Sequence, residues 1–126
     1  MVLSEHPDDG FFVACLCAAW CGSCREYRPE FDALAARMPQ LRFAWVDIED
    51  EPEVAGDIDV ENFPTLVIQR GELVLFCGAM LPHIGQLERL IQTFLPQSLE
   101  ESRRYALGSA ERRDWQGLAD VQARLK

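Results

Sequence analysis

The pentapeptide Trp20-Cys21-Gly22-Ser23-Cys24 joins two segments of different periodicity, and that junction limits the chain to folds in which a buried strand runs straight into a helix. Before it, Phe11-Phe12-Val13-Ala14-Cys15-Leu16-Cys17 is almost wholly apolar, the pattern of a strand covered on both faces of a parallel or mixed sheet. After it, Tyr27, Phe31, Leu34, Ala35 and Met38 recur at helical spacing, so a helix with one buried stripe is expected over 23–38. Both thiols of the C-x-x-C pair then fall at the start of that helix.

The location carries chemistry. Unpaired backbone N–H groups and the positive end of the helix dipole favour a thiolate over a thiol. Cys21 lies nearer the tip and Cys24 one turn further in, so Cys21 is assigned to attack and Cys24 to resolution. The Cys21 thiolate would open a substrate disulfide, and Cys24 would displace the substrate and leave a Cys21–Cys24 bond.

A second signal lies at Phe63-Pro64-Thr65, where proline directly precedes the apolar run Leu66-Val67-Ile68, a position a strand tolerates but seldom uses. With it the chain resembles the thioredoxin family. The resemblance rests on Trp-Cys-Gly-x-Cys, on Pro29 five residues after the second cysteine, on Pro64-Thr65 opening a later strand and on Gly78 in Cys77-Gly78-Ala79, and it covers roughly residues 10 to 95. It implies an α/β, thioredoxin-like three-layer fold, with a central mixed sheet of about four strands flanked by helices. It implies that Pro64 is a cis-proline facing the dithiol and that backbone at Phe63 pairs with an extended substrate segment. Trp20, Phe63, Pro64, Gly78 and Ala79 would form an apolar substrate-binding rim around Cys21, and Pro29 would kink the helix. The activity implied is thiol–disulfide exchange with protein disulfides, with re-reduction by a dithiol electron donor such as a thioredoxin reductase.

Two departures from the family bear on that chemistry. Where the family has a buried aspartate and a lysine paired with it, this chain has Cys15 and Trp45. Moving the proton of the resolving cysteine then needs water, another group or a slower step. The dipeptide between the cysteines is Gly22-Ser23 rather than Gly-Pro, which frees one N–H near the sulfurs and should make the disulfide more oxidising.

At 126 residues, 48% of them hydrophobic, the chain has ample material for one core. Five cysteines are an odd number, four of them clustered around one strand and the motif, which argues against a structural disulfide framework. No long apolar segment suggests a membrane span, and Met1 to Gly10 lacks an export pattern, so a cytoplasmic location is expected. A net charge of −9 argues against nucleic-acid binding. Asp47, Glu49, Asp50, Glu51, Glu53, Asp57, Asp59 and Glu61 crowd one stretch without a lysine or arginine. Two readings stand for it, a solvated face that keeps the protein soluble and a surface that selects basic partners.

Periodicity places strands at 11–17, 41–47, 65–69 and 72–77 and helices at 23–38, 51–57 and 83–95, with Gly71 at the turn of the last hairpin. Only about ten residues precede the first strand, too few for a leading strand and helix. Residues 1–96 are taken as the thioredoxin-like domain, and 97–126 as a helical extension packed on it or used for docking. In that extension one helix is expected to about Leu107, a break at Gly108-Ser109 and a second helix over 110–125, with Trp115, Leu118, Val121, Gln122 and Leu125 on one face. Arg103, Arg104, Arg112, Arg113 and Arg124 make it basic. Packing back on the domain would leave a monomer; docking would allow a dimer through these helices.

Cys15 and Cys17 fall on one face of their strand and are expected to be inert core thiols, with Cys15 the candidate for an accessory redox thiol. Cys77 is expected in the core near the rim, and His6 and His83 at the surface or at a cap. No metal and no cofactor are expected, since one C-x-x-C pair lacks two of the ligands a closed site needs. The alternative to an oxidoreductase is a thioredoxin-fold binding or assembly module whose dithiol is secondary.

Overall fold

Strand β1 (Phe11–Cys17) runs through the middle of the sheet and carries a core on each face. The computed structural model describes residues 10–58, 60 and 64–125. The order of elements is β1, α1 (Gly22–Arg37), β2 (Arg42–Asp47), α2 (Pro52–Ala55), β3 (Thr65–Arg70), β4 (Leu73–Ala79), α3 (Ile84–Phe94), α4 (Leu99–Ala106), α5 (Ala110–Leu118) and α6 (Val121–Arg124). The sheet has four strands in the order β2-β1-β3-β4, with β1 parallel to β2 and antiparallel to β3, and β3 antiparallel to β4. The expected mixed sheet of about four strands between helices is present.

Side-chain alternation divides β1 between the layers. Val13, Cys15 and Cys17 face a cluster built with Tyr27, Phe31 and Leu34 of α1 and Leu87, Ile91 and Phe94 of α3. Phe31 meets Phe43 and Trp45 edge-on, with centroids 5.5 and 5.6 Å away, so α1 is locked to β2 through one ring. Phe12, Ala14 and Leu16 face the other cluster, with Val46, Val67 and Val74 from the sheet and Val54 from α2.

That second face is closed by the C-terminal segment. Ala119 and Val121 are fully buried against it, and Trp115, Leu118 and Leu125 pack around them. Ser98 and Glu101 form a reciprocal capping box on α4, and Ser109 caps α5. Three of the arginines here satisfy backbone carbonyls: Arg112 donates to Tyr105, Arg113 to Leu107, and Arg124 to Val54, Ala55 and Leu118. The Arg124 guanidinium lies where a side chain on Gly56 would stand, and Gly56 has a φ of 57° that glycine adopts without strain.

Two elements differ from the periodicity. The helix expected over 110–125 is two, because Asp120 leaves helical geometry, caps α6 at Ala123 and accepts from buried Gln69, Nε2 to Oδ1 at 2.8 Å. Strand β4 continues to Ala79 rather than stopping at 77, since β3 begins directly after Pro64 and the ladder pairs Leu66 with Gly78 and Thr65 with Ala79. Along its outer edge the Gln116 amide both accepts from Val74 N–H and donates to Val74 C=O, each at 2.9 Å, covering an otherwise open strand edge.

Gln69 is fully buried and also donates to Gly71 C=O and accepts from Gln122 N–H. Replacing it by leucine leaves the Asp120 carboxylate and the Gln122 N–H without that partner, at a cost of about 1–3 kcal/mol. Urea unfolding of Gln69→Leu should show a lower midpoint at unchanged slope; an unchanged midpoint would mean that this amide does not tie α6 to the sheet.

Candidate redox site

Strand β1 ends at Cys17 and the chain turns through Ala18-Ala19-Trp20, where Cys21 N–H donates to Ala18 C=O at 3.0 Å. Cys21 is the N-cap of α1 in extended conformation, and Arg25 N–H makes the first helical bond to its carbonyl at 3.1 Å. Arg25 also donates from its guanidinium to Ala19 C=O at 2.9 Å, bracing the turn. Gly22 and Ser23 face solvent. Cys21 is partly exposed, and Cys24, one turn in, is 1% exposed. Pro29 lies inside α1 and contributes no N–H toward Arg25 C=O.

The pairing of the cysteines differs from the motif's expectation. Cys24 is joined by a disulfide to Cys17, with Cα atoms 5.9 Å apart, and Cys21 is free. Cys17, expected as an inert core thiol, is therefore a disulfide partner, because the end of β1 lies directly beneath the first turn of α1. The signal was its place on the same strand face as Cys15, two residues nearer the helix. Cys15 remains a buried free thiol with its Sγ 3.7 Å from that of Cys17. Burial pushes the Cys15 thiol far above its ordinary range, and the positive charge of Arg28 offsets this only in part.

Cys15 and Trp45 are direct cross-strand partners between β1 and β2. Arg28 stacks over the Trp45 ring at 5.1 Å, and Phe31 packs on it, so that position is filled by an aromatic layer. The Tyr27 hydroxyl is buried with no hydrogen-bond partner among the described residues, and burial, then Cys15 and Glu30, raise its pKa.

The rest of the site comes from strand ends. Leu16 pairs with Thr65, and Thr65 with Ala79, so the motif after β1, Pro64 before β3 and Gly78-Ala79 of β4 lie at one end of the sheet. Pro64 is buried, and its carbonyl accepts from Met80 N–H at 3.0 Å. Gly78 is partly exposed, with the Phe76 ring 3.5 Å from where a side chain would begin, and Ala79 is exposed. Phe63, with the backbone expected to meet substrate, lies outside the described residues, as do Asp59, Glu61 and His6. His83 is the exposed N-cap of α3.

Trp20 is 62% exposed, and its Nε1 donates to Glu49 Oε2 at 2.7 Å, which ties the indole to the acidic loop after β2. Beside it is a hollow of about 640 Å³ with Cys24 and Trp45 in its wall and Arg25, Arg28, Asp32, Asp47 and Asp50 around it. Among the described residues no helix is long and apolar enough to cross a membrane.

A four-stranded mixed sheet between helix layers, with a cysteine pair at the N-terminus of the first helix and a proline opening the neighbouring strand, defines a thiol–disulfide oxidoreductase. The Thioredoxin family model matches residues 4–83, so the chain belongs to the thioredoxin family. It is 29% identical over 106 residues to Putative thioredoxin 2 of Streptomyces coelicolor, covering 79% of each chain. It is 41% identical over 83 residues to Thioredoxin H2-1 of Oryza sativa subsp. japonica, covering 64% of this chain and 58% of that one. Among solved structures, Fasciola hepatica thioredoxin superposes with a TM-score of 0.64 at 28% identity, over 69% of this chain and 83% of the other. Thioredoxin from Trypanosoma brucei brucei superposes at 0.65 with 25% identity, over 72% and 80%.

The free thiols differ enough in environment to be told apart. Burial pushes the Cys77 thiol from an ordinary 9.0 up to about 11, so at pH 8 only about one molecule in a thousand carries its thiolate. Alkylation of the native protein at pH 8 should modify Cys21 first, Cys77 at least roughly tenfold more slowly, and Cys15 only on unfolding. Equal rates at all three would contradict the burial. A thiol whose pKa rises on folding stabilises the fold below its ordinary pKa, and that contribution is lost as pH climbs through the folded value. Stability should therefore fall between about pH 9 and about 11, and Cys77→Ala should flatten that fall.

Proposed function

We propose that Cys21 is the attacking thiol and Cys24 the resolving one in the reduction of protein disulfides. The observation that carries this reading is the contrast at the tip of α1, where Cys21 is free and partly exposed while Cys24 is buried one turn in. Cys21 opens the substrate disulfide and forms a mixed disulfide. In the reduced protein Cys24 then attacks Cys21 Sγ, the substrate leaves with both electrons as a thiol, and a Cys21–Cys24 disulfide remains. Pro64, as a cis-proline, and Phe63 would hold the substrate backbone, and Trp20, Gly78 and Ala79 would contact its side chains. Neither Cys15 nor Tyr27 suits the role of base at neutral pH, since burial holds both in their protonated forms. The Cys24 proton leaves to water instead, through the hollow that Cys24 lines beside Asp47.

The electron donor we propose is a dithiol protein such as a thioredoxin reductase, and the compartment is the cytoplasm. The acidic loop next to Trp20 favours substrates and donors with basic surfaces, an attraction that salt weakens. Residues 1–96 act as the catalytic domain. Residues 97–126 act as a structural extension, a role supported by the burial of Ala119 and Val121 on the sheet, which also favours a monomer.

With a model protein disulfide, Cys21→Ser should reduce turnover to the uncatalysed rate, and Cys24→Ser should accumulate a mixed disulfide on Cys21 visible by mass. Full activity in Cys21→Ser would overturn the assignment.

A further inference from the structure

Cys24 belongs to two possible pairs. The motif spacing sets it one turn from Cys21, and the structure bonds it to Cys17. The two pairs differ in access, for Cys17 is 0% and Cys24 1% exposed, whereas Cys21 stands partly open at the helix tip. A Cys21–Cys24 disulfide offers one sulfur to solvent; a Cys17–Cys24 disulfide offers neither.

We infer that Cys17 is an internal acceptor that takes over the disulfide from Cys21, moving it from the exposed rim into the core and returning Cys21 as a free thiol in the oxidised protein. This rests on the reading of Cys21 and Cys24 as the exchanging pair. The Cys17 thiolate attacks Cys24 Sγ, the Cys17–Cys24 bond forms as the Cys21–Cys24 bond breaks, and Cys21 leaves as a thiolate that takes up the proton Cys17 gave away. One disulfide is broken and one made, so the step needs no outside oxidant or reductant. Cys15 stands behind Cys17 with its Sγ 3.7 Å away, where its S–H can donate to the Cys17 sulfur.

Two consequences follow from the access alone. The oxidised protein keeps its exposed nucleophile, so it can still capture a second disulfide through Cys21. Reduction of the buried pair by a protein thiol must run backwards through Cys21, because Cys17 and Cys24, 0% and 1% exposed, lie too deep for a protein surface to meet them directly.

The test uses the full chain, equilibrated with excess oxidised dithiothreitol, quenched in acid, unfolded and blocked with N-ethylmaleimide. It is then reduced, blocked with iodoacetamide and fragmented for mass localisation. Cys21 is expected to carry the first label and Cys17 and Cys24 the second in more than half of the molecules. In Cys17→Ser the second label should move to Cys21 and Cys24. Cys17 carrying the first label in most wild-type molecules, with Cys21 and Cys24 carrying the second, overturns the transfer and leaves the dithiol reading standing. No second label on any cysteine overturns both.

Discussion

Burial of β1 on both faces is the constraint on which the rest of this structure depends. Six of its seven residues, Phe12 to Cys17, are essentially inaccessible to water, and at roughly 25 cal/mol per Å² of apolar surface such a strand organises everything packed on it. Its odd-numbered positions hold α1 and α3, and its even-numbered positions hold α2, α5 and α6. Because the strand cannot shift register without turning both sets over, its last residue is delivered to one place, under the tip of α1. Three cysteines meet there: Cys17 beneath, Cys24 in the first turn and Cys21 at the cap.

The second face is closed by the C-terminal segment. Apolar burial brings α5 and α6 to the sheet, and a small set of polar side chains gives them their placement. Gln69 and Asp120 set the break between the two helices, Gln116 pairs with the backbone of the edge strand, and Arg124 joins the end of α2 to the end of α5. These arginine and glutamine contacts bind a segment that is basic by composition to the edge strand and to α2. Glu49, Asp50, Glu53 and Asp57 after β2 stay at the surface, with Glu49 holding the Trp20 indole at the edge of the site.

Much of this was legible in the residues. The apolar run 11–17, the stripe Tyr27-Phe31-Leu34 and the stripe Leu87-Ile91-Phe94 announced their elements, since each repeats with the period of the structure that buries it. Pro64-Thr65 and Gly71 marked where β3 and its hairpin begin and turn. What was not legible depended on partners far along the chain. The apolar face of 110–125 is continuous, so nothing local reveals that Asp120 leaves the helix to meet Gln69, fifty-one residues away in sequence. The role of Cys17 is hidden for a related reason: its strand position points to core packing, and only the three-dimensional overlap of β1 with the first turn of α1 makes it a partner of Cys24.

The central claim is that the cysteines at the tip of α1 form a working two-electron couple. Its most direct test is equilibration of the protein against graded ratios of reduced and oxidised dithiothreitol, followed by tryptophan fluorescence and by mass. The account requires a single reversible transition in which the protein gains or loses two hydrogens. Thiols that stay reduced across the whole range, with no change in mass or fluorescence, would contradict it.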